Sequence, residues 1–339
     1  MKKVRVEDAV GTVLAHDMTR IVPGQFKGVG FKKGHIVAAD DIPELLKLGK
    51  RHLYVLEVAE NTLHEDEAAL AIAETISGES VRWTQPSEGK SSLIARCSGL
   101  LKINVKALLR INKLGNIIVS TRRTDFACRK DQVVAATRII PLTIARSKID
   151  RLIAIAAKSG PVVEVMPFRK MRVGAVVTGS ELADGLIADE FDRYVGSKIE
   201  AYGSRVVRKT LVTDDSKQIA GAVARMVKDG CELVVTTGGL SVDPDDVTRL
   251  GIRKAGAKIF FYGTPVLPGA MFLYAQLDGV PIMGLPACVY FHPSTLFDLL
   301  LPRVLAGDPV DRNTVAALGH GGLCLDCEEC RFPVCPFGR

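Results

Sequence analysis

Aromatic side chains are scarce in this chain of 339 residues: Phe, Trp and Tyr together make 6%, with a single Trp. Proteins that hold single-stranded nucleic acid stack its bases on aromatic rings, and no nucleic-acid-binding module is recognisable here. Nucleic acid is therefore not the expected partner. No run approaches the roughly 20 apolar residues that span a bilayer. The most apolar region, 264–290, is cut by Pro265, Pro268, Asp278, Pro281 and Pro286, which fits buried strands and excludes a membrane partner. Nor is there a signal-peptide pattern, since Met1-Lys2-Lys3 runs into Val-Arg-Val-Glu-Asp; a cytoplasmic protein is expected. His16, His35, His52, His64 and His292 lack metal-ligand spacing, and neither a Ser-His-Asp arrangement nor a phosphate-binding P-loop signature occurs. Internal repeats and low-complexity segments are absent as well.

What is present suits a globular protein of two or three domains: 47% hydrophobic and 24% charged residues, with a net charge of +7. The charge is uneven. Residues 102–170 carry 15 Lys and Arg against 4 Asp and Glu, a net of +11, and a basic middle attracts an anion. Within it, STRRTDFACRK (120–130) sets Arg122, Arg123, Arg129 and Lys130 around two threonines. Arginine can grip an oxyanion in a fork; a solvated strand and loop is the alternative. The eight cysteines fall in two groups. Cys97, Cys128, Cys231 and Cys288 are scattered and read as reduced thiols. Cys324, Cys327, Cys330 and Cys335 crowd the last sixteen residues, a density that suits metal ligation better than disulfides.

Five regions are expected. Residues 1–58 read as a small mixed α/β domain with a short helix near 42–48. Residues 59–145 begin with a helix over 65–77 and continue as a basic, β-rich domain interrupted by a helix near 105–114. Residues 146–170 resemble an amphipathic linker helix stopped by Gly160-Pro161. From 171 to 308, apolar strands alternate with helices, which predicts an α/β domain with a mainly parallel sheet in three layers. A Cys-rich metal-binding tail follows over 309–339, with Gly319, Gly321 and Gly322 as a hinge before it.

Ligands of parallel sheets bind beyond the carboxyl ends of the strands. Those ends here are Thr178-Gly179-Ser180-Glu181, Thr213-Asp214-Asp215, Thr236 to Asp246, and Gly284-Leu285-Pro286. In ELVVTTGGLSVDPDDVT (232–248), Gly238-Gly239 would let a ligand approach the backbone. A helix expected to start near Pro244 would offer its N-terminus to a phosphate, with Thr237 and Ser241 adding hydroxyls. Asp243 and Asp245 suit the helix start as caps. Asp246, with Asp214 and Glu181, would form an acidic cluster beside the anion. Carboxylates repel a phosphate unless a divalent cation lies between them, and Mg²⁺ is the usual one.

The ordered set VVTGSEL, VTDD, ELVVTTGGLSVDPDDVT, PVLPG and IMGLP resembles the molybdenum-cofactor biosynthesis domain. The molybdopterin molybdotransferase branch, which includes the C-terminal part of gephyrin, is the nearer, and AVGTVLAHDM near the N-terminus echoes it too. The resemblance covers about 171–308 and implies a pterin-dithiolene phosphate bound across the carboxyl edge. It implies Glu181, Asp214 and Asp246 as acidic positions, the latter two as metal ligands, and Thr178, Gly179, Ser180, Thr237, Gly238, Gly239, Ser241, Pro268, Gly269, Gly284 and Pro286 as cofactor contacts. It also suggests a homodimer.

Departures from the family pattern are visible. Its KPGKP is Leu267-Pro268-Gly269-Ala270-Met271, without either lysine, and the usual C-terminal β-domain is replaced by the cysteine tail. That tail, C-x2-C-x2-C-x4-C-P, approaches the ferredoxin run with one extra residue, so an iron–sulfur cluster or Zn²⁺ is expected on Cys324, Cys327, Cys330 and Cys335. Two functions follow. One is Mg²⁺-dependent molybdate insertion into adenylylated molybdopterin. The other is a non-catalytic molybdopterin carrier or maturation factor that docks on a client molybdoenzyme through the tail.

Overall fold

The computed structural model describes residues 2–22, 24–55, 61–183, 185–186, 188–241 and 247–338, without the side chains of 181 and 183. Two compact units divide the chain, Met1–Val165 and Met166–Arg339. No helix among the described residues is long and apolar enough to cross a membrane.

In the first unit, strands Lys2–Arg5 and His52–Val55 pair antiparallel, Met18–Val22 and Phe26–Phe31 form a hairpin, and Ile42–Lys47 is helical. Val6, Leu14, Leu45 and Leu53 close a small core beneath them. The residues after Gly34, which read from sequence as a strand, form only an isolated bridge of Ile36 with Val13. Helix Glu65–Ile76 opens the next part, where His64 accepts from the Asp66 N–H and Glu67 returns to the His64 N–H, a reciprocal cap. Ala68, Ala69, Ile72, Ala73 and Ile76 lie on its buried face, at the spacing of one helix side. That face covers a four-stranded sheet in the order Val81–Trp83, Lys90–Ala95, Val133–Ile139, Ile117–Thr121. Helix Arg146–Ser159, expected as a linker, buries Ile149 and Leu152 in this same core. Its apolar stripe is the reason, since an exposed linker would leave that stripe in water.

The second unit holds a six-stranded sheet. Its strands are β1 (Arg172–Thr178), β2 (Arg205–Val212), β3 (Leu233–Thr237), β4 (Lys258–Tyr262), β5 (Leu273–Leu277) and β6 (Val280–Leu285), in the order β2-β1-β3-β6-β5-β4. β2, β1, β3 and β6 are parallel; β5 runs antiparallel to β6, and β4 to β5. The continuous apolar runs of β1 and β3 suit strands buried on both faces, and all five residues of β3 are buried.

Side-chain alternation divides two cores, one on each face. Val173, Ala175, Val177 and Val235 meet Leu296, Phe297, Leu300 and Val304, while Val176 and Val234 meet Ile219, Val223 and Met226. The result is a three-layer α/β domain with a mainly parallel sheet. On the second face helix α1 (Ser216–Lys228) comes so close that a Cβ at Gly174 would stand 2.9 Å from Met226 Sδ and 3.0 Å from Cys231 Sγ.

Helix α2 is Thr248–Lys254 and α3 is Leu296–Ala306. The stretch VYFHPSTLFDLLLPRVLAG (289–307) reads from sequence as one helix despite Pro293, but α3 starts after that proline. Thr295 caps α3 and Asp298 bonds back to the Thr295 N–H at 2.8 Å, so Pro302 is the proline inside the helix. The segment after 308 belongs to this unit. Helix Arg312–Ala317 buries Val315, and Phe337 is 2% exposed within the first of the two cores. Gly319 and Gly322, read from sequence as a hinge, are packed: a Cβ at Gly322 would lie 2.4 Å from Leu318 O and 2.8 Å from Pro265 O.

Candidate functional site

The four parallel strands end at one edge, and hydrogen bonds lace the loops that leave them. After β1, the Gly179 N–H donates to Val212 O at 3.2 Å, tying this loop to the end of β2. The Ser180 N–H and hydroxyl both donate to Asp214 Oδ2, at 2.8 and 3.0 Å. Asp215 beside it caps α1 by accepting from the N–H groups of Lys217 and Gln218, each at 2.8 Å. Between β1 and β3, Thr178 Oγ1 donates to Thr237 O at 3.1 Å and stands 3.2 Å from Thr248 Oγ1. Thr248 then donates to Gly238 O through its hydroxyl and to Gly239 O through its N–H, at 3.0 and 3.2 Å.

The residues read as ligand contacts divide accordingly. Thr178, Gly179, Ser180, Asp214, Thr237, Gly238 and Gly239 come together at this edge. The hydroxyls of Thr178 and Thr237 are buried and serve the chain itself. Gly238 has φ +89° and Gly239 φ +57°; a Cβ would fall 2.4 Å from Thr178 O at the first and 2.4 Å from Thr248 Oγ1 at the second. The chain's own crossing therefore leaves no space for a side chain at either glycine. The described helix after them spans Thr248–Lys254, and the start expected near Pro244 lies outside the described residues.

Gly284 lies next to the end of β6, as its sequence reading as a strand end expects, against Leu240 and Leu273. Pro286 follows that strand. Pro268 O accepts from the Leu296 N–H at 3.1 Å, and a Cβ at Gly269 would stand 2.7 Å from Leu296 Cβ, so this turn packs on the start of α3. Ser241 is exposed, and its carbonyl accepts from Tyr262 Oη at 3.3 Å. Asp243, Asp245 and Asp246, together with the Glu181 side chain, lie outside the described residues.

Sequence reading missed Thr248 and Tyr290. Tyr290 Oη donates to Thr237 Oγ1 at 2.9 Å, and burial pushes its phenol up. Thr248 closes the 232–248 motif but draws no notice beside its glycines and acids, Tyr290 stands outside every motif, and both reach partners more than 50 residues away. Two lysines also come to this side. Lys198 bonds Pro293 O and Asp298, each at 2.8 Å. Lys209 lies near Tyr290 and pairs with Asp189 at 2.7 Å and with Asp192. Burial works against the charge of Lys209, but its bonds to these two carboxylates win and hold it above the usual lysine range. In the first unit Arg122, Arg123, Arg129 and Lys130 are exposed. Arg122 spends its Nε on Val133 O at 2.7 Å and lies over the Phe126 ring.

The thiols separate by environment. Burial pushes Cys128 up to about 11, and burial also raises Cys231 and Cys288, so these behave as packing residues. Cys324, Cys327, Cys330 and Cys335 line one pocket with His292 and Phe337. All eight cysteines are free thiols, and among the described residues no three His, Cys, Asp or Glu side chains already form a metal site.

The mainly parallel sheet and the loops gathered at its carboxyl edge define the class of three-layer α/β domain in which ligands, where bound, sit beyond the strand ends. Residues 174–306 match the family profile described as "Probable molybdopterin binding domain", and residues 3–57 match a domain of unknown function. The chain thus carries a domain of the molybdenum-cofactor biosynthesis family. It is 27% identical over 150 residues to a molybdopterin molybdenumtransferase of Haemophilus influenzae, covering 42% of this chain and 37% of that one. It is also 32% identical over 84 residues to a CinA-like protein of Amoebophilus asiaticus, 25% of this chain and 20% of the relative. The chain therefore spans about a fifth to under two fifths of the length of these curated relatives. Among solved structures, a molybdopterin biosynthesis MoeA protein of Pyrococcus horikoshii aligns over 91% of this chain and 75% of its own, at 15% identity and TM-score 0.36.

Proposed function

We propose that the carboxyl edge of the second unit's sheet binds molybdopterin or its adenylylated form, and that the protein acts in molybdenum-cofactor assembly. The observation that carries this is the convergence of the β1, β2 and β3 loops through Thr178, Ser180, Asp214 and Thr248, in a domain that matches the molybdopterin-binding profile. Mg²⁺ fits this edge. It binds through one or two carboxylates plus substrate phosphates and needs no all-protein cage. Asp214 is a suitable carboxylate, held in place by Ser180; Asp246 and Glu181 are the other candidates. Bound Mg²⁺ would neutralise phosphate charge and polarise its oxygens. Molybdate insertion is the enzymatic form of this reading.

A carrier or maturation factor is the second reading. The family's two lysines are Leu267 and Ala270 here, and Lys198 and Lys209 are committed to carboxylates. Around the tail, Phe291, Leu323, Leu325 and Val334 are exposed apolar side chains suited to a client protein. Titration calorimetry of the full chain with molybdopterin, with and without Mg²⁺, tests the shared core of both readings. Binding strengthened by Mg²⁺ is expected. Asp214→Asn should lose the Mg²⁺ increment and keep the metal-independent affinity. No heat of binding in the wild type would end the proposal. Turnover of adenylylated molybdopterin with molybdate separates enzyme from carrier.

A further inference from the structure

We propose that Cys324, Cys327, Cys330 and Cys335 bind a thiophilic metal centre that fastens the tail onto two loops of the second unit. The tail does not dangle. Leu323 forms a parallel bridge with Leu267, where the Leu267 N–H donates to Gly322 O and the Cys324 N–H to Leu267 O, each at 2.8 Å. At the far end Phe337 is inserted in the core, and the Gly338 N–H donates to Gly321 O at 2.8 Å. Both ends of the cysteine segment are thus pinned, which brings its four thiols to one pocket. The opposite wall of that pocket is His292-Pro293-Ser294, the segment between β6 and α3, with Ser294 Oγ 3.4 Å from Cys330 Sγ.

The chemistry of the lining selects the ligand. Four sulfur donors with x2, x2 and x4 spacing match tetrathiolate sites for zinc or an iron–sulfur cluster, and hard cations avoid sulfur. Cys327 and Cys330 are exposed while Cys324 and Cys335 are partly buried. No three of the donors stand at bonding distance of one point. The metal would therefore draw the exposed pair toward the partly buried pair across the bend at Glu328 and Glu329, whose side chains are exposed. Cys324 and Cys335 pack against the core, but Asp326, Glu328, Glu329 and Arg331 beside the exposed thiols are themselves exposed, so metal bonds would hold the middle of the loop where packing does not. This inference does not depend on pterin binding.

The test is anaerobic purification of the full chain, with elemental analysis and acid-labile sulfide. About one centre per chain is expected. Iron with sulfide identifies a cluster; zinc alone identifies a tetrathiolate ion. Cys327→Ser with Cys330→Ser changes two exposed side chains and should reduce bound metal to background while the circular dichroism spectrum is unchanged. Deuterium exchange should be slower in 286–295 and 321–338 of the loaded chain than in the chelator-treated chain. Wild type with neither iron nor zinc overturns the site, as does full metal content in the double variant. Equal exchange in both states overturns the fastening.

Discussion

Replacing Gly238 with alanine tests whether this glycine serves the fold or a ligand. Two costs add. At φ +89° a side chain sits in left-handed backbone space, worth about 1–2 kcal/mol for a non-glycine residue. The new Cβ would also meet Thr178 O at 2.4 Å and Thr178 Oγ1 at 2.7 Å. These atoms belong to β1, the strand beside β3 near the middle of the sheet, so relief requires parting the two strand ends. Overpacking of that kind costs about 1–3 kcal/mol, for a sum of roughly 2–5 kcal/mol.

Gly279 supplies the control. It has φ +81° in the turn between β5 and β6, and no atom lies within 4 Å of its Cβ position. Gly279→Ala should cost only the backbone part, about 1–2 kcal/mol. Urea unfolding of both variants, read as midpoints at unchanged slope, isolates the clash as their difference. Equal destabilisation would refute the close-approach argument. A stable Gly238→Ala chain that had lost pterin affinity would return the glycine to the ligand.

Tyr290→Phe should destabilise by about 1 kcal/mol, because the Thr237 hydroxyl loses its donor in a site that is 1% exposed; thermal unfolding that matches wild type would remove Tyr290 from the lacing of this edge. Glu65 is buried at the start of its helix, and burial, then the neighbouring Asp66, holds its carboxyl above the ordinary 4.5. The folded state thus favours the protonated form. Its contribution is fully present below the unfolded value and is lost as pH rises through the raised folded value. Glu65→Gln should therefore be more stable than wild type at pH 7, with the gain fading below 4.5; a gain independent of pH in chemical denaturation would assign it to something other than the charge.

Much of the second unit was legible from local pattern. Runs such as RVGAVVT and ELVVTT are too uniformly apolar for a half-exposed strand, and the helical stripes between them carry Ile219, Val223 and Met226 at one-face spacing. The carboxyl-edge rule then led to Thr178, Ser180, Asp214 and Thr237, which the fold does bring together. Boundaries were read less well. The apolar spacing of 289–307 reads as one helix despite Pro293, but Thr295 and its partner Asp298 cap the helix and start it only at Leu296. In the first unit, the stripe on Arg146–Ser159 showed amphipathicity but not its target, since a stripe records that a face is buried without recording what buries it.

Alone, the sequence determined the order of strands and helices in 171–308, the family motifs they carry and the four-thiol spacing of the tail. These are properties of neighbours along the chain, where side-chain period and turn chemistry act within a few residues. Tertiary structure alone decided why the glycines are glycines, which hydroxyls remain internal, and where the tail goes. Thr178 meets Gly238 and Thr248 across 60 and 70 residues, and Phe337 finds its place beside Phe297 and Leu300. Such meetings depend on strand order and on close packing between distant segments, quantities that no local pattern of residue types contains.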